Sequence, residues 1–162
     1  MDPWQLTTAD FDPAGTGLTV GLASIAAAVP GVAANRTRIR AALEAFRERQ
    51  VNLAVFPEFS LTGVFWEDEV ACRPYMEGAA WEHQRAFIES SIRPLLDDTL
   101  RLVVLSVLRP AEEPPDDRFF NSTLIVGRDS GGRPVEAVYD KAVPAGIEGR
   151  YLAGSGGRRL VL

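Results

Sequence analysis

The chain has 162 residues, 46% of them hydrophobic and 24% charged, enough for one domain that buries roughly 70% of the surface its unfolded form exposes. A net charge of -5 argues against binding to phosphate backbones, which rests on clustered Lys and Arg, and no segment approaches the roughly 20 consecutive apolar residues of a membrane span. One cysteine and one histidine give neither an internal disulfide nor a zinc-ligand spacing, so a reducing, cytoplasmic setting and metal-free chemistry are expected, with no nucleic acid and no membrane as partner.

Residues 1–17 read as a disordered or extended segment. Met1 to Thr16 carry three Asp, two Pro and no basic side chain, unlike a secretory signal. Leu18 to Ile25 reads as a first strand, through Leu18, Val20, Leu22 and Ala23. After the Pro30-Gly31 turn, Asn35 stands where an N-cap belongs. Ile39, Ala42, Leu43 and Phe46 then recur at i, i+3, i+4 and i+7, which predicts an amphipathic helix to about Gln50. Leu53 to Phe56 is a short buried strand stopped by Pro57, so strand, helix and strand suggest a right-handed parallel crossover.

Pro57 to Gly78 has no sustained period and reads as a long loop with a helical turn near Glu67 to Ala71. A second helix is expected from Ala79 to Ser91, with Trp81, Ile88 and Ile92 on one face and a kink at Pro94. Leu102 to Leu108 is a strand, apolar on both faces and calling for cover on both. Arg109 to Arg118 is a Pro-rich acidic loop. Phe120 to Gly127 and Pro134 to Tyr139 bracket Asp129-Ser130-Gly131-Gly132 as an antiparallel hairpin, so the sheet is mixed. Gly154-Ser155-Gly156-Gly157 reads as a linker or turn, and Arg158 to Leu162 as an unfinished strand whose open edge favours self-association.

Glu58 directly follows the second strand, and the carboxyl ends of strands are where α/β sheets build sites. Its apolar neighbours Phe56, Pro57, Phe59 and Leu61 would desolvate the carboxylate and raise its pKa toward that of a general base; on position alone it reads as a solvated loop acid. Lys141 directly follows the hairpin and would present a positive charge to a developing oxyanion. Taken alone it is a surface lysine or an ion-pair partner of Asp140. His83 reads as a surface histidine.

The string Phe56-Pro57-Glu58-Phe59-Ser60-Leu61-Thr62-Gly63 resembles the segment around the catalytic glutamate of the nitrilase superfamily of carbon-nitrogen hydrolases. Asn35 resembles the Asn that opens the family's first helix, Phe120-Asn121-Ser122 its Tyr-Asn-Ser strand start, and Tyr139-Asp140-Lys141 its catalytic-lysine segment. The resemblance implies an α/β fold, part of a nitrilase-like αββα sandwich with a mixed sheet and two main helices on the outer face. It also implies a Glu-Lys-Cys triad with Glu58 as base and Lys141 as oxyanion stabiliser, no cofactor, and a small-molecule amide or nitrile as substrate.

Glu148, 7 residues after Lys141, is the candidate for the family's second glutamate. The interval is a residue short, and Ala142-Val143-Pro144 stands where many members have His-Leu. Glu148 therefore reads equally as a solvated acid in a Gly-rich loop. The nucleophile is expected a few dozen residues after the lysine, where this sequence has no cysteine. Cys72 precedes the lysine, which makes it a poor substitute despite the neighbouring Arg73, and it reads as an incidental thiol. The resemblance thus covers 18–162 as the N-terminal portion of such a domain, inactive unless a Cys-bearing segment completes it. The partner expected is a complementary C-terminal half or further copies of the chain. The alternative is a non-catalytic half-domain that binds a partner or a small amide.

Overall fold

The structure is a computed structural model and describes residues 17–63, 81–110, 119–150 and 152–155. Five strands form one sheet in the order β1 (Val20–Leu22), β2 (Leu53–Val55), β3 (Leu102–Pro110), β4 (Phe119–Arg128) and β5 (Pro134–Asp140). The first three are parallel, β4 and β5 antiparallel to their predecessors, which gives the expected mixed sheet. Helix α1 (Val32–Glu48) joins β1 to β2, and α2 (Trp81–Phe87) runs into a π-helical turn at Ile88–Ile92 and a 3-10 turn at Arg93–Leu95.

Both helical elements cover one face of the sheet. The predicted stripe of α1, Ile39, Ala42, Leu43 and Phe46, is at most 4% exposed and packs with Phe87, Ile88 and Ile92 on Ala54, Val103, Leu105, Val107, Leu124 and Val126. The widening of α2 has a local cause. Arg93 N–H bonds the carbonyl of Ile88, five residues back, and the next residue, Pro94, has no N–H with which to continue an α-helix. Glu136 on β5 receives both Arg85 and Arg93, so the ring-ended turn is tied to the sheet by charge as well as by burial.

Because β2 is only three residues long, the far end of β3 has no strand partner on that side. Gln84 of α2 fills the gap. It is fully buried, its Nε2 donates to the Leu108 carbonyl at 2.8 Å, and its Oε1 accepts from Leu108 N–H at 3.0 Å. A side-chain amide thus satisfies the backbone groups that a longer β2 would have paired.

Three expectations need correction. Asn35 is not the N-cap: α1 begins three residues earlier, capped by Gly31, and Asn35 lies buried inside its first turns. The first strand is shorter than Leu18 to Ile25, and Leu18, Val20 and Leu22 are exposed by 62%, 45% and 73%. Gly21 takes the helix side instead, since a Cβ there would come within 2.9 Å of the Phe46 ring. Finally, among the described residues the helices cover only one face of β3. Leu102 and Val104 on the other face are half-buried, sharing it with Val55, Ile125 and Ala137.

The expected turn at Glu67 to Ala71, most of the Pro-rich loop, Cys72, the strand at Arg158 to Leu162 and the first 16 residues lie outside the described residues. Among the described residues no helix is long and apolar enough to cross a membrane.

Candidate active site

The parallel run of β1 to β3 and the hairpin that follows bring the end of β2, the start of β4 and the end of β5 to one end of the sheet. Glu58, Asn121 and Lys141 meet there. Register places Asn121 beside Leu108, and Lys141 N–H donates to the Asn121 carbonyl at 2.8 Å, so both residues face the side opposite the described helices.

The Glu58 loop is held from beneath. The motif glycine Gly63 takes φ +72°, and a Cβ there would fall 2.1 Å from Val29 Cγ2, so only glycine fits the turn. Asn35 ties the same loop to α1: its Nδ2 donates to the carbonyls of Leu61 at 3.1 Å and Ala28 at 2.9 Å, while its Oδ1 accepts from Ala28 N–H at 2.7 Å. Phe59 adopts the left-handed region at φ 55°, uncommon for an aromatic residue, and its side chain is buried. Phe56, Phe59 and Leu61 thus enter the interior, whereas the Glu58 side chain stays 49% exposed. The expected desolvation by its neighbours is therefore not found.

Lys141 Nζ lies 2.9 Å from Glu58 Oε1 and 2.8 Å from Glu148 Oε2, which makes it the bridge between the carboxylates. Asn121 Nδ2 also donates to Glu58 Oε1. Oε2 of Glu58 takes no partner among the described residues. Glu148 is only 13% exposed, and its Oε2 also accepts the Ala145 N–H at 2.9 Å, at the entry to the 3-10 turn Gly146–Arg150. It is not a solvated loop acid. Burial alone would lower the pKa of Lys141, but its hydrogen bonds to Glu148 and Glu58 and the charge of both outweigh that, holding the ammonium above its ordinary 10.5.

Lys141 is equally not the partner of Asp140. Strand alternation sends Asp140 to the helix side, where Arg109 grips it through Nη2 at 2.7 Å and Nε at 3.2 Å and Ser122 Oγ donates to it. Ser155 closes the other side: its Oγ donates to the Asp140 carbonyl at 3.0 Å and its N–H to the Lys141 carbonyl at 3.3 Å. Gly154-Ser155, the described part of the expected linker or turn, thus packs over the end of β5. His83, as expected, is exposed.

A cleft of about 360 Å³ opens beside the carboxylates, lined by Val55, Glu58, Val104, Ser106, Asn121, Thr123, Tyr139 and Lys141 among others. Two of the polar lining residues, Asn121 and Ser106, carry only weak signals in the sequence. Asn121 belongs to the Phe120-Asn121-Ser122 strand start and opens a polar stretch that runs to Thr123, whereas Ser106 is the one polar residue of the apolar run Leu102 to Leu108.

Neither a family model nor a curated protein matches the sequence. Solved structures do match in fold. The chain is 19% identical to a mutant of the amidase from Nesterenkonia sp. AN1 in complex with butyramide, covering 90% of this chain and 51% of that one with a TM-score of 0.66. A double mutant of the same amidase in complex with acrylamide is 18% identical, covering 93% and 52%, with a TM-score of 0.65. The glutamine-dependent NAD+ synthetase from Acinetobacter baumannii in complex with ADP is 18% identical over 84% of this chain and 24% of its own, with a TM-score of 0.60. The Nesterenkonia amidase is described as belonging to the nitrilase superfamily. The fold of this chain is accordingly a partial nitrilase-like one, a mixed five-stranded sheet with helices on one face. The chain spans about half the length of the amidase and about a quarter of the synthetase.

Proposed function

We propose that this chain is the part of a carbon-nitrogen hydrolase that carries Glu58, Lys141 and Glu148 of its catalytic machinery, acting on the non-peptide C–N bond of a small amide or nitrile. The observation that carries the reading is the Lys141 ammonium held at 2.9 Å and 2.8 Å between two carboxylates at the strand ends. A nucleophilic thiol is contributed by a cysteine-bearing segment outside this sequence, either a continuation of the chain or a partner polypeptide. The nitrilase-like fold and the order of the motifs support this; the thiol in the sequence, Cys72, precedes the lysine.

For an amide, Glu58 Oε2 takes the thiol proton, the thiolate adds to the carbonyl carbon, and negative charge grows on the carbonyl oxygen near Lys141. The protonated Glu58 returns the proton to the departing amine as the C–N bond breaks and a thioester remains. Glu58 then deprotonates a water that attacks the thioester, releasing a carboxylic acid and the thiol. Glu148 keeps Lys141 charged and fixed: among the described residues both of its contacts at Oε2 are donors. The second oxygen of Glu58, without a partner among the described residues, and its exposure to the cleft suit a group that must accept and return protons.

The test is to isolate the native protein from its source cells, determine its intact mass and partners, and measure ammonia release from short carboxamides. The expected species exceeds 17.6 kDa or travels with a second, cysteine-bearing polypeptide, and Glu58→Gln and Lys141→Met each lower its turnover by about 100-fold or more. Turnover untouched by Glu58→Gln rejects the assignment. A 17.6 kDa species that binds carboxamides without hydrolysing them instead selects a non-catalytic half-domain.

A further inference from the structure

Ser106 interrupts the apolar run of β3 on the face opposite the described helices, pairing in register with Thr123, while Asn121 of β4 pairs with Leu108 on the same face. Both polar side chains are nearly buried, 8% and 5% exposed. Ser106 Oγ donates to Asn121 Oδ1 at 3.1 Å, and Asn121 Nδ2 donates in turn to Glu58 Oε1.

The chemistry of the three groups fixes the direction of this chain. An ionised carboxylate only accepts hydrogen bonds, so the amide must present its NH2 end to Glu58. That leaves Oδ1 facing Ser106, whose hydroxyl must then donate. The reverse orientation of the amide would set one acceptor against another at Glu58. Ser106 therefore commits its proton to Asn121, and Asn121 is clamped at both ends.

The same clamp sorts the two oxygens of Glu58. Oε1 is occupied by Asn121 and Lys141, while Oε2 is left without a partner among the described residues. We propose that Ser106 is a positioning residue that, through Asn121, holds Glu58 with Oε1 occupied and Oε2 open to the cleft. The proposal rests on the reading of Glu58 as the proton acceptor, and it adds a residue that, among the described residues, has no hydrogen bond of its own to Glu58 or Lys141. Without the hydroxyl, Oδ1 of Asn121 is a nearly buried acceptor with no donor. The amide then turns to find one, and Glu58 loses one of its two ties.

The experiment reads the Asn121 side-chain NH2 protons by NMR in the labelled chain, with Ser106→Ala, Ser106→Val and Ser106→Thr compared with the wild type. Exchange with water is expected to accelerate about tenfold or more in the Ala and Val variants, the loss of one ordinary hydrogen bond. The Thr variant, which keeps the hydroxyl, retains the wild-type rate. Backbone amides of β3 and β4 serve as the control for folding. Unchanged Asn121 exchange in both Ala and Val variants overturns the proposal, as does a Thr variant that behaves like Val while the backbone amides stay protected. Because the readout needs no turnover, a failure of the hydrolase reading shows separately, as turnover indifferent to Glu58→Gln beside Asn121 signals that still respond to Ser106.

Discussion

Asn35 and Asn121 work by the same principle: an amide can accept at one end and donate at the other, so one side chain joins two segments that share no ladder. Asn35 joins the approach to α1 with the Glu58 loop, and Asn121 joins β3 with Glu58. Ser60, two residues beyond Glu58, behaves differently. It is 1% exposed, and among the described residues its Oγ finds no hydrogen-bond partner. A buried hydroxyl without a partner loses its water and gains nothing in return, a cost of about 1–3 kcal/mol. Ser60→Ala removes that cost, but the void left by the oxygen offsets most of the gain. It is expected to leave the protein as stable as the wild type or up to about 1 kcal/mol more stable by urea unfolding. A loss of more than about 1 kcal/mol would mean that the hydroxyl is satisfied after all. At this scale the sequence was informative where a residue directly follows a strand. Glu58 and Lys141 are each set at the end of an apolar run inside a specific string, and both reach the site. Ser106 gave no such sign, because strand alternation says that it shares a face with Leu108 but not which face the site occupies.

Elements were legible in proportion to how much of their stability is local. The stripe of α1 and the Asp129 turn of the hairpin declare themselves by spacing and turn chemistry. The π turn after α2 is local too, set by Pro94, where the sequence predicts a kink, whereas the placing of Gly21 of β1 under the Phe46 ring depends on what packs across the strand. The turn into β3 shows how a single acid can fix such a junction. Asp97 Oδ1 accepts the N–H groups of Thr99 at 2.8 Å and Leu100 at 2.9 Å, and Oδ2 accepts Arg47 Nε of α1 at 2.7 Å. Burial alone would raise the pKa of Asp97. The bonds from Leu100 and Thr99, and then Arg47, outweigh it and hold the carboxyl below its ordinary 3.8. A folded pKa below the unfolded one means that the unfolded chain binds more protons at acid pH. The contribution to stability is thus present above the unfolded value of 3.8 and is lost as pH falls through the folded one. Asp97→Asn keeps an acceptor for the turn but cannot titrate. Its urea midpoint should therefore fall less steeply than that of the wild type on acidification below about pH 4. Parallel acid limbs for the two proteins would show that Asp97 does not report on this junction.

At the scale of the molecule, the sheet is covered unequally. The helices bury Val103, Leu105, Val107, Leu124 and Val126 almost completely. The opposite face carries Val20, Leu22, Val55, Val104, Ile125 and Ala137, which are exposed or half-buried, with the carboxylates and Lys141 confined to one end. A sheet is stable in water when each apolar face meets another layer, and an apolar face left exposed is a usual mark of an interaction surface. The face lies in view only in three dimensions. In the sequence, the outward Val20 and Leu22 are indistinguishable from the inward Val103 and Leu105, since all sit in short apolar runs. Two of its most exposed members, Val20 and Leu22, lie on β1, at the opposite edge of the sheet from Lys141. They can be changed without touching the site. The chain by itself is expected to self-associate as its concentration rises, and Val20→Lys with Leu22→Lys to weaken that association about tenfold or more, as lysines on an edge strand resist pairing and burial. Light scattering over a concentration series measures both, with circular dichroism to establish that the sheet is retained. A wild-type chain that stays monomeric throughout, or a double variant that associates as strongly, would remove this face as the surface through which the molecule meets a partner.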